Sequence, residues 1–168
     1  YEVIDLEIDG DNLIWACTTK RAYGTGGTIL KSNADVTSFD VKHEVTNGRR
    51  TEMEVTSNGK IYVLVQVNNK PKVYKSTDFF ATAPTELTLP NDADGGISAD
   101  DFTRGQSFYD LMLDSDPNNP EHIYIGGIDI FKSTTGGENS DPNVNPWTQI
   151  SHWYGGFSQQ YIHADQHG

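Results

Sequence analysis

One tetrapeptide pattern, a pair of aliphatic or aromatic residues followed by Lys-Ser, occurs three times: Ile29-Leu30-Lys31-Ser32, Val73-Tyr74-Lys75-Ser76 and Ile130-Phe131-Lys132-Ser133. Recurrence at a near-fixed spacing constrains a fold more than any single motif, because each copy must belong to the same supersecondary unit. Ser32 and Ser76 are 44 residues apart, and Ser76 and Ser133 are 57 apart. The excess in the second interval is close to the length of a polar, acidic stretch at 91–106.

The content of each unit favours strands. The first, about 3–50, begins with Val3-Ile4-Asp5-Leu6-Glu7-Ile8, where apolar and acidic residues alternate as in a half-buried strand. A turn at Asp9-Gly10-Asp11-Asn12 returns the chain through Leu13 to Cys17. The Gly-rich hairpin Tyr23-Gly24-Thr25-Gly26-Gly27 leads into Thr28 to Lys31, and Phe39 to His43 supplies a fourth strand. The second unit, about 51–90, repeats this order, with Ser57-Asn58-Gly59-Lys60 read as a hairpin whose Asn-Gly pair takes positive φ at both positions. The third, about 107–150, opens at Tyr109 to Leu113 and turns at Asp116-Pro117-Asn118-Asn119-Pro120; a fourth begins at about 161. Four short strands per period of ~40–50 residues describe the blades of a β-propeller. The expected fold is therefore all-β: a propeller of four-stranded blades, about three of them with the start of a fourth. Sixteen glycines and 35% hydrophobic content agree with many short strands and turns. Propellers use ~4–8 blades, so the chain reads as a segment whose expected partners include the remainder of a longer polypeptide.

Charge narrows the possible partners. Lys and Arg total 12 against 24 for Asp and Glu, a formal net charge of -12, which argues against nucleic acid, a ligand that needs a basic stripe. No apolar run approaches the ~20 residues of a membrane helix, so no membrane span is expected. Cys17 is the only cysteine, which excludes a disulfide framework and a thiolate metal cluster.

Ser133-Thr134-Thr135-Gly136-Gly137 with the later Trp147 resembles the Ser-x-Asp-x-Gly-x-x-Trp box of Asp-box (BNR) propellers. The resemblance extends to Ser76-Thr77-Asp78 and, more loosely, to Ser32-Asn33-Ala34-Asp35 with Phe39. In that family the box is a structural hairpin between the third and fourth strands of a blade. Here Thr135 stands where Asp is usual, and Phe79 and Phe80 replace the glycines of the second copy. The segment from Asp116 to Gly127 is similar to blade openings of sortilin-type and xyloglucanase-type propellers. Together with 161–167 it resembles Asp-box propellers of large secreted bacterial proteins, some exported by the type IX route. The resemblance implies an extracellular or cell-surface location and a role in recognising or scaffolding glycan or protein. The alternative it implies is the propeller part of a glycoside hydrolase acting on β-glucan.

Several residues are candidates for chemistry. On one extended strand His163, Asp165 and His167 would share a face, with donor types suited to zinc. Positions two apart are nearly 7 Å distant, so a bulge or turn would be needed for one ion, and the other reading is hydrogen bonding between blades. The loop 91–101, with Asp92, Asp94, Asp100 and Asp101, offers the hard oxygens calcium prefers without EF-hand spacing, and otherwise reads as a solvated loop. Calcium and zinc are the cofactors that these two sets of donors would suit. Hydrolysis needs two carboxylates ~5–9.5 Å apart, for which Asp110 and Asp165 are the candidates, with Asp114 and Asp129 also available. Only Arg21, Arg49, Arg50 and Arg104 are present, which disfavours the triple-arginine grip of a sialidase. Trp147, Trp153, Tyr154 and Tyr161, near Gly155-Gly156, could form an aromatic platform for a sugar ring, or pack between blades. The ligand-binding candidates are thus Trp153, Tyr154, Tyr161, His163, Asp165 and His167. Ser32, Ser76, Asp78, Ser133, Gly136, Gly137 and Trp147 are the structural box residues.

Overall fold

The computed structural model describes residues 2–20 and 26–162. The described residues form an all-β structure of three four-stranded antiparallel sheets, each a meander in chain order. The first contains β1 (Glu2–Ile8), β2 (Ile14–Thr19), β3 (Thr28–Ser32) and β4 (Phe39–Glu44); the second contains β5 (Gly48–Val55), β6 (Ile61–Val67), β7 (Lys70–Ser76) and β8 (Thr85–Glu86). The third contains β9 (Met112–Asp116), β10 (Asn119–Gly126), β11 (Ile130–Ser133) and β12 (Trp147–Gln149), and is followed by the short parallel pair β13 (Ser151–His152) and β14 (Gln160–Tyr161). First strands are neighbours in space: β5 touches both β1 and β9. The hydrophobic core lies between sheets. Trp15, Cys17 and Ile29 pack on Met53, Ile61, Val63 and Val65 at one junction, and Tyr62, Leu64 and Val73 pack on Leu111, Ile123, Ile125 and Phe131 at the next. This is the stacking of propeller blades.

The registers explain the repeated lysine. Lys31 is the cross-strand partner of Trp15, Lys75 of Tyr62 and Lys132 of Tyr124. Their ammonium groups lie 4.7, 5.8 and 5.3 Å from the respective ring centres. Cation–π contacts of this kind are worth about 0.5–2 kcal/mol, more when water is excluded. The recurring lysine is thus one half of a pair whose other half, an aromatic on the second strand, lies 8 to 16 residues upstream. In the first sheet the pair is anchored by Asp9, which accepts from Trp15 Nε1 at 2.9 Å and meets Lys31 at 3.0 Å. Burial opposes ionisation of Asp9, but the bonds from Trp15, Leu13 and Lys31 outweigh it and bring its pKa to about 2.

The serine after each lysine starts a turn. Ser133 Oγ accepts from the amides of Gly137 (2.9 Å) and Thr135 (3.2 Å), and Ser76 Oγ accepts from Phe80 (2.8 Å). Asp78 accepts from the Thr82 amide and hydroxyl, whereas Thr135 donates its hydroxyl to the Glu138 carbonyl. Ser32 departs from this pattern, accepting from Ile14 across the sheet, while Asn33 and Asp35 close the turn onto Thr37. Gly136 and Gly137 have φ of 64° and 77°, and their counterparts Phe79 and Phe80 have φ of 57° and 61°. Two successive aromatic residues in the left-handed region cost on the order of 1–2 kcal/mol each. Packing on the previous blade offsets that cost: Phe79 stacks on Trp15 at 5.8 Å and Phe80 on His43 at 5.2 Å. At Gly137 there is no such room. A methyl group there would lie 2.7 Å from Leu87 Cδ1 and 3.1 Å from the Trp147 ring. Gly137→Ala is therefore expected to lower stability by about 2–3 kcal/mol, from overpacking and left-handed strain together; an unfolding midpoint equal to that of the natural chain would contradict this.

Three local expectations change. The Ser57-to-Lys60 turn has positive φ only at Gly59, and it is Asn68 and Asn69, at 51° and 64°, that form the two-residue turn with both φ positive. The third sheet starts at Met112 rather than Tyr109, since Tyr109 and Asp110 are held in a turn by bonds to the Gln106 carbonyl. In β1 the alternation is present but its burial is inverted. Asp5 and Glu7 are half-buried towards the second sheet, whereas Leu6 and Ile8 are 59% and 64% exposed. The hairpin positions 21–25 lie outside the described residues.

Candidate functional site

The 91–106 insertion, read from sequence as a loop of calcium-type oxygens, is organised around a cation of its own. Arg104, at the end of a short turn, contacts Asp92 at 2.7 Å, Asp94 at 3.0 Å and Asp129 at 3.3 Å. The side chains of Asp92 and Asp129 are fully buried, and that of Arg104 is 16% exposed. The remaining acids are engaged locally: Asp100 pairs with Lys70, and Asp101 accepts from Thr103 and the Gly105 amide. Among the described residues no group of three or more His, Cys, Asp or Glu side chains is placed to hold a metal ion.

Asp94 carries the arrangement outward. Besides Arg104 it accepts from Tyr154 Oη (2.8 Å) and Trp153 Nε1 (3.2 Å), and it faces His152 Nε2 at 3.3 Å. Burial alone would raise its pKa; the donors and the guanidinium outweigh that and hold it below the usual carboxylate range. Asp129 behaves oppositely, because burial, together with the nearby Asp92 and Asp94 charges, exceeds what His152 and Arg104 return and raises it to about 6. His152, wholly buried on β13, stacks on Phe157 at 3.8 Å between ring centres, and its Nδ1 lies 3.0 Å from the Tyr154 carbonyl. Tyr154 meets the Trp153, His152 and Phe157 rings edge-on. Arg104 lies 5.7 Å from the centre of the Trp153 ring.

The result is an aromatic shelf. Trp153, Tyr154 and Phe157 have their positions fixed by Asp94, Arg104 and one another, yet remain 39%, 38% and 41% exposed. Rings held in place in this way and still more than a third exposed can stack a flat apolar surface at little ordering cost. Two of the sequence candidates, Trp153 and Tyr154, meet here. Tyr161 is 60% exposed on β14. Trp147 is instead buried in the third sheet, its Nε1 donating to the Thr88 carbonyl. His163, Asp165 and His167 lie outside the described residues. Asp110 is fully buried and presents no carboxyl surface to a sugar. Asp94, named from sequence only as a calcium-type oxygen donor, here anchors the aromatic residues, and Arg104, His152 and Phe157 join it; the signal in the sequence is a lone arginine, Arg104, near the end of an otherwise acidic insertion.

Two other features lie apart from the shelf. Equivalent positions of the first strands carry Glu7, Glu54 and Asp114. Burial, then the charges of Glu54, Asp5 and Asp114, raises Glu7 to about 7, and burial raises Glu52 to about 7 against the opposing charge of Arg50. A groove of about 670 Å³ between residues 85–88 and the 135–146 loop takes in none of the shelf residues. Of its three carboxylates, Glu86 and Glu138 are paired with Lys72 and Lys75, and Asp141 accepts from the Asn143 amide and side chain.

No protein-family model and no curated protein matches the chain. Among solved structures it is similar to a catalytically inactive histidine-to-alanine variant of virginiamycin B lyase from Staphylococcus aureus, with quinupristin. The TM-score is 0.52 at 18% identity, over 86% of this chain and 43% of that one. The chain thus spans less than half the length of that β-propeller, and at this identity the likeness shows the fold alone.

Proposed function

We propose that the chain is part of a non-catalytic recognition propeller, of the Asp-box type, in a secreted or cell-surface protein, and that it binds glycan on the 153–157 shelf. The observation that carries this reading is the pre-fixed but exposed aromatic set around Asp94. The serine-capped turns at Ser76 and Ser133 support the box assignment. Location, including export by the type IX route, rests on the sequence resemblance. The lyase chemistry of the structural neighbour is not carried over. The hydrolase alternative, built on Asp110 and Asp165, has one buried member and one outside the described residues, and no observation favours it.

The shelf is bordered by three carboxylates against one guanidinium, in a chain of net charge -12. The glycan it suits is therefore uncharged, since an acidic sugar would meet like charge. Calorimetric titration with neutral glucan oligosaccharides is expected to show binding that weakens about tenfold or more in Trp153→Ala and in Tyr154→Ala, as central aromatic anchors usually do. Binding left unchanged by both substitutions, or confined to polyuronates, would overturn the proposal.

A further inference from the structure

Asp and Glu total 24 in this chain against 12 for Lys and Arg, so a cation without a carboxylate stands out. Every described lysine and arginine outside one pocket is ion-paired with Asp or Glu, except Lys132, which lies over the Tyr124 ring. Lys20 and Arg49 have no carboxylate partner among the described residues. Both line the same pocket of about 400 Å³, together with Arg50, Gln66 and Phe108, and no described carboxylate lines it. An adjoining recess of about 360 Å³ shares Lys20 and Arg49 and adds Asn47, Asn68 and Asn69. A glycine brings the two cations together. Lys20 follows β2, Arg49 stands on β5 of the next sheet, and Gly26 lies between their backbones: a methyl group there would be 2.8 Å from the Lys20 nitrogen and 2.7 Å from Arg49 Cα. Only a residue without Cβ permits that approach. Around the pair, Arg50 donates to Glu52 at 2.6 Å. Gln66 is 3% exposed with no hydrogen bond to its side chain among the described residues, and Phe108 is 63% exposed. A buried amide without a partner, beside two cations without counter-ions, is a donor set that lacks its acceptor.

We infer that this pocket binds the phosphate group of a small phosphate monoester, with the ring that carries it lying against Phe108. Such a group bears a charge of about −1.5 to −2 at pH 7 and three terminal acceptor oxygens. That matches two cations without counter-ions and a third, Arg50, whose charge is shared with Glu52. Guanidinium groups take oxygens of this kind in pairs, and an ammonium meets them as a point charge. A carboxylate, with one charge and two oxygens, would leave one of the cations unmatched. The exposed Phe108 ring supplies the apolar face that a ring next to the phosphate would cover. None of the shelf residues lines this pocket, so the site is separate from the proposed glycan surface.

Calorimetric titration of the full-length natural polypeptide with phenyl phosphate tests this. Binding is expected, and Lys20→Met combined with Arg49→Met should weaken it about tenfold or more, the loss that goes with two charge-assisted hydrogen bonds. Both side chains are exposed, so the unfolding midpoint should not move; Lys20→Glu alone gives a second readout, by charge reversal. Phe108→Ala should weaken phenyl phosphate about threefold and leave inorganic phosphate unchanged. Benzoate and phenyl sulfate, each singly charged, should bind more weakly than phenyl phosphate, and the affinity for neutral glucan should be the same in the cation variants as in the natural chain. Absence of phenyl phosphate binding, or binding unchanged in both cation variants, would overturn the inference. Benzoate or phenyl sulfate bound as tightly would overturn the phosphate assignment, and a parallel loss of glucan binding would overturn the separate site.

Discussion

Arg104→Met is expected to lower the free energy of unfolding by about 3–5 kcal/mol at pH 7, the cost of removing one partner from a buried ion cluster. The side chain touches three carboxylates, and those of Asp92 and Asp129 have no exposed surface. Methionine preserves most of the volume but leaves those charges facing each other without a cation. Asp129, already at about 6 in the intact chain through burial, would rise further and take up a proton. The loss should therefore be smaller at pH 5, where protonating it costs less, than at pH 7. Asp94 would lose a partner in the same change, so Trp153 emission should shift with it, since Arg104 and Asp94 both touch that ring. A loss under about 1 kcal/mol, the range of exposed ion pairs, would show that the cluster is solvated.

Stability is expected to peak near pH 4 and to fall on both sides. Glu7 and Glu52 are raised to about 7 and Asp129 to about 6, and Glu54 is raised as well, chiefly by burial. Groups raised in the folded state bind more protons there than when unfolded. Their contribution is complete below the unfolded values of about 4 and is lost as the pH climbs through 6 and 7. On the acid side Asp9, at about 2, and the lowered Asp94 contribute stability above pH 4 that disappears as they protonate. Allowing for partial exposure of the strand carboxylates, the loss between pH 5 and pH 8 should reach about 2–3 kcal/mol, or some 4–12 °C in Tm for a chain of this size. Glu7→Gln combined with Glu52→Gln should flatten the alkaline limb. A wild-type profile that is level from pH 5 to pH 8 would show that these groups are solvated in both states.

Much of the architecture was legible because it is repeated locally. The Lys-Ser copies lie on β3, β7 and β11, each the third strand of a sheet; at β7 and β11 the strand-to-turn exit follows from the serine accepting amides a few residues on, and at β3 Asn33 and Asp35 do so instead. The lysine's own partner was not legible as such, because Trp15, Tyr62 and Tyr124 are aligned with it by register. At the site the readable part was the aromatic run at 153–154. Its anchors were not, since Asp94 lies about 60 residues upstream in a segment whose composition is that of a solvated loop. Likewise Asp5 and Glu7 occupy the polar positions of an alternating strand. A single strand gives no sign that a second sheet will cover its polar side while its apolar side meets water.

By itself the sequence determined that the fold is all-β and that its unit is four short strands, with a serine-capped turn after the third strand in the second and third units. These are consequences of short-range periodicity and turn chemistry, which act within a few residues. The tertiary structure decided which acids are titratable near neutrality, why Phe79 and Phe80 can occupy left-handed backbone, and that Arg104 and Asp94 hold the shelf. The first two depend on what one sheet presents to the next and the third on how the insertion folds back onto residues 129 and 152–154, and burial, stacking and ion pairing of this kind are set by distances that no local pattern encodes.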